Sequence, residues 1–163
     1  MKYTFLLLLT FLVLGASTVY AQETKAIKKL VKSSSKALKK YKTDTSNTGK
    51  LEEALQAIEK AMSLDGAENM PETWMAKASI FQFIGQNEQS IRQQKEVEAQ
   101  VAAGGDIAKM TPIQYMFESP EAPKLAFEAL SNAFELTSKK SSQTKIVKEL
   151  EIVSRQLNDI GLY

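Results

Sequence analysis

The sequence contains no cysteine and no histidine, and only one tryptophan, four prolines and seven glycines in 163 residues. Each shortage closes off chemistry or architecture. Without Cys and His there is no disulfide framework, zinc finger, imidazole-held metal, thiol nucleophile or Ser-His-Asp triad, so catalysis would have to run on carboxylates, lysine, serine or tyrosine. The scarcity of Gly and Pro leaves long stretches without a helix breaker. Beyond the N-terminal region there is no long apolar run, and the apolar fraction of 44% is that of a foldable globular chain.

The N-terminal region reads as a secretory leader. Lys2 precedes an unbroken stretch from Thr4 to Gly15 (TFLLLLTFLVLG), and Val19-Tyr20-Ala21 has the small-x-small form of a cleavage site. The stretch is shorter than the roughly 20 apolar residues that span a bilayer. The expectation is a signal peptide over 1–21, cleavage before Gln22, and a soluble protein in the periplasm or outside the cell. Without a cysteine at that site there is no acceptor for lipoprotein-type acylation. Residues 22–163 suffice for one domain with a sizeable core.

Charge is segregated along that domain. Residues 22–50 hold nine lysines and two acids, 51–136 six basic residues and 14 acids, and 137–163 five basic residues and three acids. Periodicity predicts helices nearly throughout, at about 23–42, 50–64, 70–84, 87–103, 120–138 and 143–160, with no convincing strand pattern. Thr43 to Gly49 is a polar loop, Asp65-Gly66 a turn, Gly85 a helix end, and Gly104-Gly105 another. Ser119-Pro120 is expected to open the fifth helix, with proline in first position.

Residues 54–64 (ALQAIEKAMSL) lie on 126–136 (AFEALSNAFEL) at a shift of 72. Ala54, Ala57, Ala61 and Leu64 meet Ala126, Ala129, Ala133 and Leu136, while Leu55, Ile58 and Met62 meet Phe127, Leu130 and Phe134. Alanines three and four apart share a helix face and let a neighbouring helix approach closely, so Ala57, Ala61 and Ala133 are expected at close contacts. Half of 72 is 36, near a known helix-pair repeat length.

In these residues, together with Trp74, Ala78 and Phe81 of TWMAKASIF and Gly85, the sequence resembles the tetratricopeptide repeat (TPR) family. It resembles in particular the divergent arrays of exported Gram-negative bacterial proteins. The resemblance covers about 24–161 and is clear in three of six helices. Lys77 stands where the family usually has leucine, and Gly66 replaces the common closing proline. It implies an all-α, short TPR-like solenoid of antiparallel helix pairs, with repeats at about 24–66, 69–103 and 106–138. A capping helix at 143–161 would close it; a generic helical bundle is the alternative.

Such a solenoid binds a protein or peptide segment in a concave face lined by first helices. The family geometry turns Met75, Ser79, Gln82 and Phe83 toward that groove, and Trp74 and Phe81 toward the core. Met75 and Phe83 read equally well as packing residues. The lysine and asparagine set that clamps a chaperone tail is not supplied by Met75, Ala76 and Ser79. Tyr115 and Phe117, in the irregular segment Met110–Ser119, are further candidates for partner contact, or fill a gap in the packing.

The first mature helix carries Ile27, Leu30, Val31, Ala37, Leu38 and Tyr41 on one stripe. A basic face opposite is formed by Lys25, Lys28, Lys29, Lys32, Lys36 and Lys39, with Lys40. That face is a solvated outer surface, or a site for anionic lipid or an acidic partner; nucleic acid is not expected. Ser33-Ser34-Ser35-Lys36 and Ser142-Gln143-Thr144-Lys145 fit Ser-x-x-Lys but lack the companion motifs of penicillin-binding enzymes. No catalytic residue, cofactor or metal is assigned, leaving a non-enzymatic adaptor as the expected function and a small-ligand-binding bundle as its rival.

The last helix places Ile146, Leu150, Val153, Leu157 and Ile160 on one stripe, opposite Lys148, Glu151 and Arg155, with Ile152 as the exception. It reads as a cap on a monomeric stack, or as the lead-in to a longer array.

Overall fold

The structure is a computed structural model that describes residues 2–44, 47, 49–102 and 121–159. Five α-helices and one short 3-10 turn follow each other, α1 (Lys2–Thr43), α2 (Gly49–Met62), the turn Ala67–Asn69, α3 (Pro71–Ala102), α4 (Ala122–Leu136) and α5 (Lys140–Asp159), and there is no strand among the described residues. None of the described helices is long and apolar enough to cross a membrane. The apolar N-terminal stretch and the lysine-rich segment belong to one uninterrupted helix, α1.

Each helix boundary has a local cause. Lys40 and Lys42 occupy the last turn of α1, where cations complement the helix dipole, and the Thr43 hydroxyl donates to the Lys39 carbonyl at 3.0 Å. α2 opens with Glu52 in its first turn and a Lys50–Glu53 ion pair. The chain then reverses at Gly66, whose φ of 83° lies in the left-handed region that glycine enters at least cost. Pro71 starts α3 in the position where a missing N–H costs nothing, and the Trp74 indole N–H donates to the Glu68 carbonyl at 2.8 Å, tying the helix to the turn before it. α4 ends at Thr137, whose hydroxyl donates to the Ala133 carbonyl, and the Gln143 amide from α5 donates to the Thr137 carbonyl at 2.8 Å.

The largest departure from the sequence expectation is α3, a single helix where the spacing predicts two. Gly85 does not end a helix. It lies buried in mid-helix, and a Cβ there would stand 3.0 Å from Cγ and 3.3 Å from Cδ of Pro123. The glycine is where the first turn of α4 presses against α3, and its cost to a helix, about 1 kcal/mol relative to alanine, is too small to halt one. Residues 86–98 (QNEQSIRQQKEVE) are mostly good helix formers without proline, so the helix runs on. The expected pair at 69–103 is therefore one helix over its described residues, and the described residues hold five α-helices. α4 begins at Ala122 with Pro123 in its first turn instead of at Pro120, and α5 begins at Lys140 instead of Gln143. The segment at 103–120, with the expected third-repeat opening, Tyr115 and Phe117, lies outside the described residues.

Helix α3 is apolar on two faces, and each face belongs to a different core. Ala76, Ile80 and Ile84, spaced by four, join Ile27, Leu38 and Tyr41 of α1 and Leu51, Ile58 and Ala61 of α2. Ala78 joins Ala126, Ala129, Leu130 and Ala133 of α4 and Ile146, Val153 and Leu157 of α5, with Trp74 and Met75 partly buried beside them. Phe81 packs against both cores. Small residues allow the close approaches. Ala54, Ala61, Ala126 and Ala133 are fully buried, and buried Ser34 of α1 donates its hydroxyl to the Ala54 carbonyl of α2 at 2.9 Å. Ala57, expected at a close contact, is only half-buried, because the face of α2 that packs runs through Leu51, Ala54, Ile58 and Ala61.

The stripe on α5 packs as its spacing predicts: Ile146, Val153 and Leu157 are buried and Leu150 is half-buried against α4, while Lys148, Glu151 and Arg155 are exposed. Ile160 lies outside the described residues.

Replacing Ala61 by leucine forces extra volume between α2 and its neighbours. Urea denaturation of Ala61→Leu is expected to show a loss of about 1–3 kcal/mol, whereas Ala57→Leu, at the half-buried position, is expected to cost less than half of that. Equal midpoints for the two variants would contradict the placement of α2.

Candidate functional site

Four of the sequence-predicted partner residues come together. Met75, Ser79, Gln82 and Phe83 lie within nine residues of α3 and line one open cavity of about 330 Å³. Its remaining walls come from Lys42 of α1 and from Glu149 and Ile152 of α5, with Ala78 and Leu130 at the packed base and Gln86 one turn further along α3. The cavity is therefore bounded by α1, α3 and α5 and floored in part by α4.

Both sides of the cavity are fixed by specific contacts. On the α1 side the Phe83 ring meets the Tyr41 ring edge-on, with centroids 5.6 Å apart and planes at 89°. The Lys42 ammonium stands 5.1 Å from the centre of the same Phe83 ring, within reach of a cation–π attraction. Burial holds the Tyr41 phenol above its ordinary pKa. On the α5 side the Gln82 amide donates to a Glu149 carboxylate oxygen at 2.7 Å, a charge-assisted bond from α3 to α5. The Ser79 hydroxyl is turned back along the helix and donates to the Met75 carbonyl at 2.9 Å. Phe83 thus has the packing role weighed for it, yet remains half-exposed at the cavity wall.

A second open cavity, of about 440 Å³, lies at the start of α3 and the joint between α4 and α5. Met75 lines both, so the two depressions adjoin along α3 and α5. Glu72, Lys139 and Lys145 supply its charges and Leu136, 38% exposed, supplies apolar surface. Together the two cavities, a trough along α3 and α5, are lined by the cations of Lys42, Lys139 and Lys145, the carboxylates of Glu72 and Glu149, and apolar side chains at Met75, Leu136 and Ile152.

The 330 Å³ cavity offers one carboxylate, already bonded to Gln82, and one ammonium, already over Phe83; neither is set against a hydroxyl free to act as a nucleophile. Among the described residues no three Asp or Glu side chains gather as a metal site would require. Trp74 and Phe81 go to the core side as expected, both half-buried, with the Lys77 ammonium 5.4 Å from the centre of the Trp74 ring.

The lysine face is elsewhere. Lys25, Lys28, Lys29, Lys32, Lys36 and Lys39 are all exposed on the outer side of α1, whereas Lys42 of that helix lines the cavity. Near the end of α2's first turn, the Glu53 carboxyl is held below the ordinary carboxylate range, first by its hydrogen bond from Lys50 and further by the Lys50, Lys40 and Lys36 charges. Sequence reasoning missed Lys42, Glu149 and the whole second cavity. Ile152 carried the readable signal, since an isoleucine on the charged side of α5 has no place in a simple cap.

No protein-family model matches the chain, and no curated protein or solved structure matches it.

The Gln82–Glu149 bond joins α3 to α5 across the trough, and removing its donor leaves a part-buried carboxylate without that partner. Gln82→Ala is expected to lower stability by about 1 kcal/mol in urea denaturation at neutral pH, while Gln82→Ala and Glu149→Ala combined are expected to lose clearly less than the sum of the single losses. Strict additivity of the two would show that the bond does not form.

Proposed function

We propose that the protein is an exported, non-enzymatic adaptor that binds a peptide or protein segment in the trough along α3 and α5. The observation that carries the reading is the convergence of Met75, Ser79, Gln82 and Phe83 with Glu149 and Ile152 in one open cavity bordered by α1, α3 and α5. These are alternate helices of the chain, the set that lines the concave side of a stack of helix pairs. Ile152, 40% exposed at the trough, is apolar surface available to a partner.

In a TPR-like reading, α1 with α2 forms one pair, α3 with α4 a second, and α5 packs on that second pair. The shift of 72 supports it, because the two matched segments, in α2 and α4, are then both second helices. On this reading the chain has two pairs, the second widened by an insertion from about Gly85 to Glu121, in place of the three regular pairs of the sequence expectation. Export rests on the leader pattern of residues 1–21.

Two experiments test these statements. Peptides selected from a random library on the full chain are expected to lose binding at least tenfold on Phe83→Ala or Ile152→Asp and to be unaffected by Glu128→Lys on the exposed side of α4. Peptides indifferent to the trough substitutions would overturn the assignment. N-terminal sequencing of the protein recovered from its own cells is expected to begin at Gln22; a retained N-terminal segment would overturn cleavage and leave the trough reading standing.

A further inference from the structure

We propose that the lysine arc of α1 is a second docking surface, independent of the trough, and that its partner is the surface of an anionic lipid bilayer. From Lys25 to Lys42 the helix has eight lysines and no acidic residue. Seven of them, from Lys25 to Lys40, are exposed on the outer side, while Lys42 turns to the trough. The opposite side of the same helix is locked into the core by Ile27, Ser34, Ala37, Leu38 and Tyr41, so the arc cannot turn inward. It stands as a fixed line of charge about 20–25 Å long.

Such a line weakens the fold that carries it. Lys25 and Lys29, Lys28 and Lys32, Lys32 and Lys36, and Lys36 and Lys40 are each four residues apart, where like charges face one another and disfavour the helix. A solvated end helix needs only polar residues of mixed sign, as α5 shows with Lys148, Glu151 and Arg155. Among the described residues the compensation found for these charges is at one end, where Glu53, paired with Lys50, also feels Lys40 and Lys36. Lys25, Lys28, Lys29 and Lys32 lie toward the other end, exposed to whatever meets the domain from outside.

The chemistry of the arc selects the partner. Arginine, with its planar fork for phosphate and base edges, is absent from it; every position is lysine, a compact point charge suited to a diffuse negative potential. The side chains between the lysines on the exposed side are Ala26, Ser33 and Ser35, so the arc offers neither a groove nor an aromatic anchor for a folded or peptide partner. A convex, apolar-poor row of lysines meets best a broad fluid surface whose charges can gather beneath it.

The test uses the full chain with vesicles of phosphatidylcholine alone and vesicles with about one third phosphatidylglycerol, at low and at about 0.5 M salt. Binding to the neutral vesicles measures the apolar N-terminal stretch, and the gain on the anionic ones measures the lysines. The gain is expected to be at least tenfold at low salt and to vanish at high salt. It is also expected to vanish when Lys28, Lys29, Lys32 and Lys36 are replaced together by glutamine, to persist when the same four are replaced by arginine, and to be indifferent to Phe83→Ala. Circular dichroism of the glutamine variant is expected to show unchanged helicity. Equal binding to both vesicles, or a gain that survives the glutamine replacements in a folded chain, would overturn the proposal. Tighter lysine-dependent binding to polyglutamate or duplex DNA than to the anionic vesicles would overturn it in favour of an acidic protein or a nucleic acid.

Discussion

Helix α3 is the constraint on which the rest of the structure depends, because it is apolar on two faces and the domain has a core on each. Ala76, Ile80 and Ile84 complete the core of α1 and α2, and Ala78 with its half-buried neighbours completes that of α4 and α5. Each core takes part of its buried apolar surface from α3, and Ala122 of α4 also reaches the first. The residues left between the two faces, Ser79, Gln82 and Phe83, fall on the open side and become the wall of the trough. The open cavity is thus a geometric by-product of a helix shared between two cores.

The close approaches around α3 are made by subtraction of side-chain volume. Ser34 against Ala54, the alanines of α2 and α4, and Gly85 against Pro123 each put a small residue where two backbones come near. At the first of these the serine hydroxyl also bonds the neighbouring carbonyl. Charge is arranged on the opposite principle, away from contacts: the lysines of α1 line the outer edge, and the trough holds only Lys42, Lys139 and Lys145 as cations among its lining residues. On the two proposals above, the trough and the arc meet their partners through different residues of α1.

Much of this was legible in the sequence, for physical reasons that differ by region. The all-α class, the burial of Ile146, Val153 and Leu157, and the stripe of α1 follow from 3.6-residue periodicity, which depends on local geometry alone. Met75, Ser79, Gln82 and Phe83 were picked out through the TPR resemblance, and they line one cavity in the structure. Gly85 was misread because a glycine is as useful for close approach as for ending a helix, and only the position of Pro123, 38 residues later, distinguishes the two. Glu149 and the second cavity were hidden for the same reason: they depend on how α5 lies across α3, which no local pattern encodes.

The shared helix makes a direct statement about cooperativity, and native-state hydrogen exchange of Ile80→Ala reads it. Ile80 is fully buried and belongs to the α1–α2 core, yet it sits on the helix that also supports α4 and α5. If α3 joins the two cores into one unit, the amides of α4 and α5 lose protection together with those of α1 and α2, by a similar factor. Loss confined to α1 and α2, with α4 and α5 retaining their full protection, would contradict the account and divide the domain into two independent halves.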